Sequence, residues 1–232
     1  MKVTTDACLF GAWAGEVVRS LETGVRSKSD TVKKVLDIGA GTGLLSLMLA
    51  QKNPSARIDA IELDEAAAEQ ADQNVKASPW ANRIRIIHAD ARGFSYPHRY
   101  DIIISNPPFY EKELKADDIK KNMARHNESL LLRELVDLIK KHLEPEGHFF
   151  LLLPYKRHEE IRELLQQNEM TLSEIQLVRP SVVHGYFRIL VAGQLKENPG
   201  SETLFGDIAV RNEHHDYTPA FSQLLKDFYL HI

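Results

Sequence analysis

Val35-Leu36-Asp37-Ile38-Gly39-Ala40-Gly41-Thr42-Gly43-Leu44-Leu45-Ser46-Leu47-Met48-Leu49-Ala50 reads, in order, as a short apolar strand, a turn with glycine at every second position, and a helix. Missing Cβ atoms let such a turn bend tightly and bring its backbone to contact distance of a ligand. The dinucleotide-binding pattern would place its third glycine at position 44, where this chain has Leu44. Asp37 is the more telling residue. Two positions before the first glycine, its charge would oppose a pyrophosphate but favour an ammonium group or a sulfonium-bearing ligand. The loop therefore fits a cationic, nucleotide-like cofactor better than NAD or ATP.

Outward from this unit, β-rich runs alternate with helical patterns, which favours a parallel sheet covered on both faces. Strands are expected at Lys34 to Ile38, Arg57 to Ile61, Ile84 to His88, Asp101 to Ser105, His148 to Leu153, Leu172 to Arg179 and Phe187 to Leu195. Helices are expected at Leu44 to Lys52, Glu65 to Ala77, Leu130 to Leu143 and His158 to Gln167, with Asp64 as a start signal and Gly147 as a stop signal. Only Pro180 to Tyr186 separates the last two strands, so they should pair antiparallel at one edge. The expected fold is α/β: a doubly wound, seven-stranded, mostly parallel sheet with an antiparallel edge strand, residues 1–232 forming a single domain. Asp6 to Leu21 has helical character and could pack at the mouth of a site. A short strand is expected at Asp207 to Arg211, and Tyr217 to Leu230 repeats apolar residues at helical spacing, read as core packing.

Other strand ends carry chemistry as well. Glu62 ends the second strand, where a carboxylate can accept from two ribose hydroxyls. Asp90, after the third, is placed to accept from an adenine amino group, with the backbone of Ala91 available for the ring nitrogens. The fourth strand runs into Asn106-Pro107-Pro108-Phe109. Two prolines cannot continue a ladder, so the chain leaves the sheet at Asn106. The Asn106 amide and a carbonyl of the adjoining proline peptide can both accept from an exocyclic NH₂, and the Phe109 ring offers a stacking face. Taken alone, the tetrapeptide also reads as a plain strand terminus with a core Phe. Open α/β folds bind ligands at the carboxyl edge of the sheet, and four successive strands ending there in polar or glycine-rich elements favour a site.

The 232 residues are 43% hydrophobic and 27% charged, with no apolar run near the ~18 residues of a membrane span. The first residues lack the apolar core of a secretory signal, and Cys8 is the only cysteine, so the expected location is the cytoplasm. A net charge of −4 argues against nucleic-acid binding by the whole surface. A local basic face remains open at Lys112, Lys115, Lys120, Lys121, Arg125 and His126, which are interspersed with acids. Whether Lys156, Arg157 and Arg188 join it is undecided by sequence. His214-His215-Asp216 reads as a polar loop, and no metal is expected.

These motifs together resemble class I S-adenosylmethionine-dependent methyltransferases, in particular the amino-N-methylating group with an Asn-Pro-Pro-aromatic turn. Met1-Lys2-Val3-Thr4-Thr5-Asp6, Leu9-Phe10-Gly11-Ala12-Trp13-Ala14, Ser78-Pro79-Trp80-Ala81, Ile103-Ile104-Ser105-Asn106-Pro107-Pro108-Phe109-Tyr110 and Asp227-Phe228-Tyr229-Leu230 extend the likeness to the bacterial tRNA1(Val) adenine-37 N6-methyltransferase family. The resemblance implies a Rossmann-like methyltransferase fold, S-adenosyl-L-methionine as cofactor and a tRNA anticodon loop as substrate. It further implies cofactor contacts from Thr5, Asp6, Asp37, Gly39, Gly41, Gly43, Glu62, Asp90, Ala91 and Asn106, with Asn106, Pro107, Pro108 and Phe109 at the target amine. This chain departs from the family at Thr4 and Ala7, where glycines are usual, and the sequence opens at Met1, where the family usually has a short basic and aromatic segment before Lys2-Val3. Two other readings stand beside it. A protein-glutamine N5-methyltransferase presents the same donor pattern to Asn106, though that group carries a helical N-terminal domain and the stretch before Val35 is short. A non-catalytic S-adenosylmethionine-binding, RNA-interacting module would leave the Asn-Pro-Pro-Phe turn unconstrained.

Overall fold

The computed structural model describes residues 4–23, 33–107, 130–195 and 203–230. In chain order the described elements are α1 (Thr5–Thr23), β1 (Lys34–Ile38), α2 (Leu44–Lys52), β2 (Arg57–Glu62), α3 (Glu65–Lys76), β3 (Ile84–His88), β4 (Tyr100–Ser105), α4 (Leu132–His142), β5 (Leu143–Pro154), α5 (His158–Gln167), β6 (Met170–Ser181), β7 (Arg188–Leu195), β8 (Leu204–Arg211) and α6 (Pro219–Leu225). The strands form one sheet in the order β3-β2-β1-β4-β5-β7-β6-β8.

The alternating α/β reading holds, and the sheet differs from it in two details. An eighth strand, β8, pairs parallel with β6 over Leu204 to Arg211 and takes the outer position. The antiparallel strand is internal: β7 inserts between β5 and β6 and runs against both. The hairpin link between β6 and β7 was legible; the pairing of β7 with β5 was not, because it is set by the α5 crossover carrying β6 one position outward. Gly147 ends no helix. Strand β5 begins at Leu143, and the register with β4 jumps from Tyr100 opposite Leu143 to Ile102 opposite His148, so Gly147 sits in an irregular stretch of strand.

Side-chain alternation divides the core. Ile102, Ile104, Phe150 and Leu152 face one layer with Leu9, Phe10, Trp13, Leu45, Met48, Leu49 and Phe221. Ile103, Phe149, Leu151 and Leu153 face the other with Leu135, Val136, Ile139, Ile161, Leu164 and Leu165. Strands buried on both faces explain the continuous apolar runs Ile102-Ile103-Ile104 and Phe149-Phe150-Leu151-Leu152-Leu153. In α4 the buried residues Leu132, Leu135, Val136 and Ile139 follow the i, i+3, i+4, i+7 spacing of one helix face. Asp64 caps α3, accepting from the Ala67 N–H at 2.8 Å.

Helix α1 lies close on α2. A Cβ on Gly11 would stand 2.6 Å from Met48 Sδ, and one on Gly15 3.2 Å from Lys52 Cγ, so the glycine pair one turn apart sets the approach. Trp13 then reaches the sheet, its indole edge on the Phe150 ring at 5.7 Å and its Nε1–H donating to Glu174 Oε1 at 3.0 Å. The C-terminal helix is shorter than the apolar pattern suggested, Pro219–Leu225. Phe221 is fully buried, and Tyr217, Phe228 and Tyr229 pack around it as core. The Lys112 to His126 segment lies outside the described residues, and no described helix is long and apolar enough to cross a membrane.

A pair of glycine substitutions tests this packing. Gly193 lies on internal β7, where a Cβ would meet Phe149 Cζ at 2.3 Å and the Thr171 carbonyl at 2.5 Å. Gly193→Ala should lower the unfolding free energy by about 1–3 kcal/mol, measured by denaturant titration. Gly15→Ala meets only the flexible Lys52 stem and should be near neutral.

Candidate active site

The carboxyl ends of β1, β2 and β4 converge. Ile38 stands in register with Ile61 on one side and Ser105 on the other, so Gly39, Glu62 and Asn106 begin their loops at neighbouring positions. Ser105 is buried and donates its hydroxyl to the Ile38 carbonyl at 2.7 Å, tying β4 to β1 one residue before the Asn-Pro turn. Asn106 is half-buried and Pro107 buried. Pro108 and Phe109 lie outside the described residues.

Backbone strain explains the glycines. Gly39, Gly41 and Gly43 have φ of 73°, 56° and 81°, a region that L side chains rarely adopt. The N–H groups of Gly39 and Ala40 both donate to the Ile61 carbonyl, at 2.9 and 3.1 Å, folding the loop over the end of β2. Glu62 fastens it there, its Oε2 accepting from Gly41 N–H at 2.7 Å and its Oε1 from Asp64 N–H at 2.9 Å. Each oxygen keeps acceptor capacity for a ribose hydroxyl.

Asp37 is fully buried beneath this loop. Its Oδ2 accepts from Ser46 Oγ at 2.7 Å, while Oδ1 has no hydrogen-bond partner. Burial pushes the carboxyl up to about 7, the Ser46 hydroxyl opposes that rise, and the nearby Glu62 charge adds to it. A buried acceptor without a donor is costly unless a ligand supplies one. The buried negative charge favours a cation above the loop, so the residues present fit an amino-acid-bearing cationic cofactor.

Asp90 follows β3 at the same edge. Arg92 forks onto it, Nε to Oδ1 at 3.0 Å and Nη2 to Oδ2 at 2.7 Å, and holds the carboxyl below its usual range. Asp90 therefore already carries a cation, and reaching an adenine amino group depends on its remaining lone pairs. Ala91 accepts the Tyr96 hydroxyl on its carbonyl at 2.8 Å. Asp6, at the start of α1, binds Arg188 Nε at 2.8 Å, fixing Thr5 and Asp6 beside the first residue of β7. Since Arg188 pairs with Pro154 at the carboxyl end of β5, this contact also lies at the site edge.

Four residues here have partners that no motif announced: Ser46, Ser105, Arg92 and Arg188. Ser46 and Ser105 do lie inside motifs, Ser46 as the single hydroxyl in the apolar run Leu44 to Ala50 and Ser105 directly before the Asn-Pro-Pro turn. His88 and His184 have partners, the Leu63 carbonyl and the Ser181 hydroxyl. Among the described residues no group of three or more His, Cys, Asp or Glu could hold a metal ion. A recess of about 310 Å³ lined by Lys34, Arg57, Arg83, Arg85 and His98 opens at the opposite, amino end of the strands.

Residues 21–177 match the family model of the methyltransferase small domain. The chain is 38% identical to the tRNA1(Val) (adenine(37)-N6)-methyltransferase of Dyadobacter fermentans, covering 99% of this chain and 91% of that protein. It is 37% identical to the protein of the same name from Shewanella baltica, covering 99% and 92%. Among solved structures, a predicted O-methyltransferase of Agrobacterium tumefaciens superposes with a TM-score of 0.65 at 18% identity, covering 94% of this chain and 95% of that one. The glycopeptide N-methyltransferase MtfA in complex with S-adenosylmethionine gives 0.55 at 14% identity, covering 80% and 94%. At these identities the structural likeness carries the fold alone.

The Asp37 environment gives a test with two readouts. Its carboxyl ionises near 7 in the folded chain against 3.8 ordinarily, so its stabilising contribution is complete below about pH 4 and is lost as pH rises toward 7. Asp37→Asn keeps an acceptor for Ser46 and removes the buried charge. The variant's melting temperature should exceed that of the parent by several degrees at pH 8 and by little at pH 4, while S-adenosylmethionine binding, followed by calorimetry, is lost.

Proposed function

Because the chain belongs to the methyltransferase small-domain family and, within it, to the tRNA1(Val) (adenine(37)-N6)-methyltransferases, it is an S-adenosylmethionine-dependent methyltransferase, and we propose that its substrate is adenine 37 in the anticodon loop of a valine tRNA. The observation that carries this reading is the junction of β1 and β4. A buried carboxylate with one oxygen unpaired lies under the glycine loop, and an Asn-Pro amide acceptor pair starts one residue beyond the Ser105 to Ile38 hydrogen bond. A cation and a planar amine are thereby accommodated at adjacent strand ends.

Asp37 would hold the amino group of the cofactor, Glu62 its ribose, and Asp90 with Ala91 the adenine edge. Gly39 has open space where a side chain would stand, and a Cβ on Gly43 would rest against Ala71 of α3. Thr5 and Asp6, anchored by Arg188, would border the amino-acid end. Bound S-adenosylmethionine supplies a methyl carbon made electrophilic by its sulfonium.

The remaining task falls to the turn. The lone pair of an aromatic amine is delocalised into its ring, so N6 is a weak nucleophile until its hydrogens leave the ring plane. The Asn106 side-chain oxygen and the Pro107 carbonyl would accept those hydrogens, localising the pair on nitrogen. As the new C–N bond forms and the methyl–sulfur bond breaks, with its electron pair passing to sulfur to leave a neutral thioether, positive charge develops on nitrogen, and the same two acceptors would stabilise it before one proton departs to solvent. The hydrogen bond from Ser105 to Ile38, one residue earlier, supports this role by holding the end of β4 against β1. Phe109 would stack on the extruded base. A tRNA substrate supports a cytoplasmic location.

Purified protein incubated with labelled S-adenosylmethionine should label unmodified tRNA, with N6-methyladenosine as the sole labelled nucleoside. Label in protein instead would move the assignment to glutamine amides. Asn106→Ala should lower kcat by at least about a hundredfold, the scale of losing one preorganised transition-state contact, while cofactor affinity changes little. Unchanged turnover in that variant would refute the acceptor role.

A further inference from the structure

The carboxyl edge of the sheet carries an exposed pair of aromatic rings that the proposed chemistry leaves unused. Tyr155 follows the last residue of β5, and Tyr186 lies in the hairpin between β6 and β7. Their centroids are 5.4 Å apart and their planes inclined by 44°. Both remain open to solvent, at 40% and 36% of their surface.

The pair is held by construction. Tyr155 N–H donates to the Phe187 carbonyl at 3.0 Å, locking the end of β5 to the hairpin. The Tyr186 hydroxyl donates to Asp207 Oδ2 at 3.0 Å, and the Arg179 guanidinium stands 5.8 Å from its ring centroid while pairing with Asp207 at 3.1 Å. On the other side, the His158 ring lies nearly parallel to Tyr155, 12° off and 6.3 Å away. Three rings thus run across the surface, anchored through backbone, hydroxyl and guanidinium.

Position links this surface to the target. Ser105 is in register with Leu151 on β5, so Asn106 is level with Leu152, and Tyr155 stands three residues farther out, roughly 10 Å at strand rise. We propose that Tyr155 and Tyr186 form a stacking platform for the nucleotides that flank the methylated adenine, holding the anticodon loop open while the target base enters the Asn106 turn. The proposal rests on the tRNA reading above and adds where the neighbouring bases go. Rings serve this purpose because any base has a π face, and a splayed loop presents several. The local charges fit the same occupant. Arg179 and Arg188 are each tied to a carboxylate, and the basic residues Lys156 and Arg157 directly follow Tyr155, so stacking on the rings is joined by positive charge that suits the RNA backbone.

The test uses the full chain and a valine tRNA anticodon stem-loop. Tyr155→Ala and Tyr186→Ala should each raise KM for the RNA roughly tenfold, the cost of about one stacked base, with S-adenosylmethionine affinity and melting temperature retained. Tyr155→Phe keeps the ring and should behave as the parent, which a loss of fold would not reproduce. Independently, 2-aminopurine placed on either side of the target should be quenched on binding the parent protein and less so on binding the alanine variants. If the parent methylates the stem-loop and the alanine variants do so with unchanged KM and unchanged quenching, the platform is overturned and the tRNA assignment stands. If the parent leaves tRNA unmethylated, the functional reading falls and takes the platform with it.

Discussion

A carboxylate placed where water cannot reach it governs the layout of this protein. Asp37 is buried in the middle of the sheet's carboxyl edge with one oxygen bonded to Ser46 and the other to nothing. Such a group destabilises the unliganded fold, and the surrounding structure tolerates it because strands on both sides are tightly bound. The Ser105 hydroxyl secures β4 to β1, and the Glu62 carboxylate secures the glycine loop to β2. Rigidity on both flanks keeps the unpaired oxygen from collapsing onto a neighbouring donor. The same bonds determine where Asn106 begins, so binding and chemistry share one set of supports.

Much of this architecture was visible in the amino-acid order, for definite reasons. Strands β1 to β4 were bounded to within a residue because they are short and apolar and end at glycine, acid or proline. Helices α2 and α5 were bounded as observed, and α4 to within two residues, its apolar face being regular. Strand β8 was read only in its second half, Asp207 to Arg211, since Leu204 and Phe205 are largely exposed and show no buried alternation. The internal place of β7 is a tertiary fact, set by which edge β6 occupies after its crossover.

The site divides in the same way. Positions that need a special backbone or close a strand, such as Gly39, Gly41, Glu62 and Asn106, advertise themselves locally. Partners that act across the fold do not. Arg92 on Asp90 is close in sequence, yet nothing in Asp90-Ala91-Arg92 tells a bidentate fork from two solvated charges. Arg188 meets Asp6 from 182 residues away, and only the docking of α1 on the sheet brings them together. Asp90 was read as an open acceptor, whereas a guanidinium is already seated on it.

The direction of a single strand has a broader effect. Because β7 runs against β5 and β6, the turn that joins it to β6 emerges beside the loops of the other strands, at the edge where ligands approach. Were β7 parallel, its connection would have to cross back over a helical layer. The reversal instead closes β6 with a short turn at this rim, whose residues, from Val182 to Tyr186, are exposed and outside the core. Length and composition there can change without disturbing either hydrophobic layer, so the same chemical centre can acquire new clients by rewriting one surface turn.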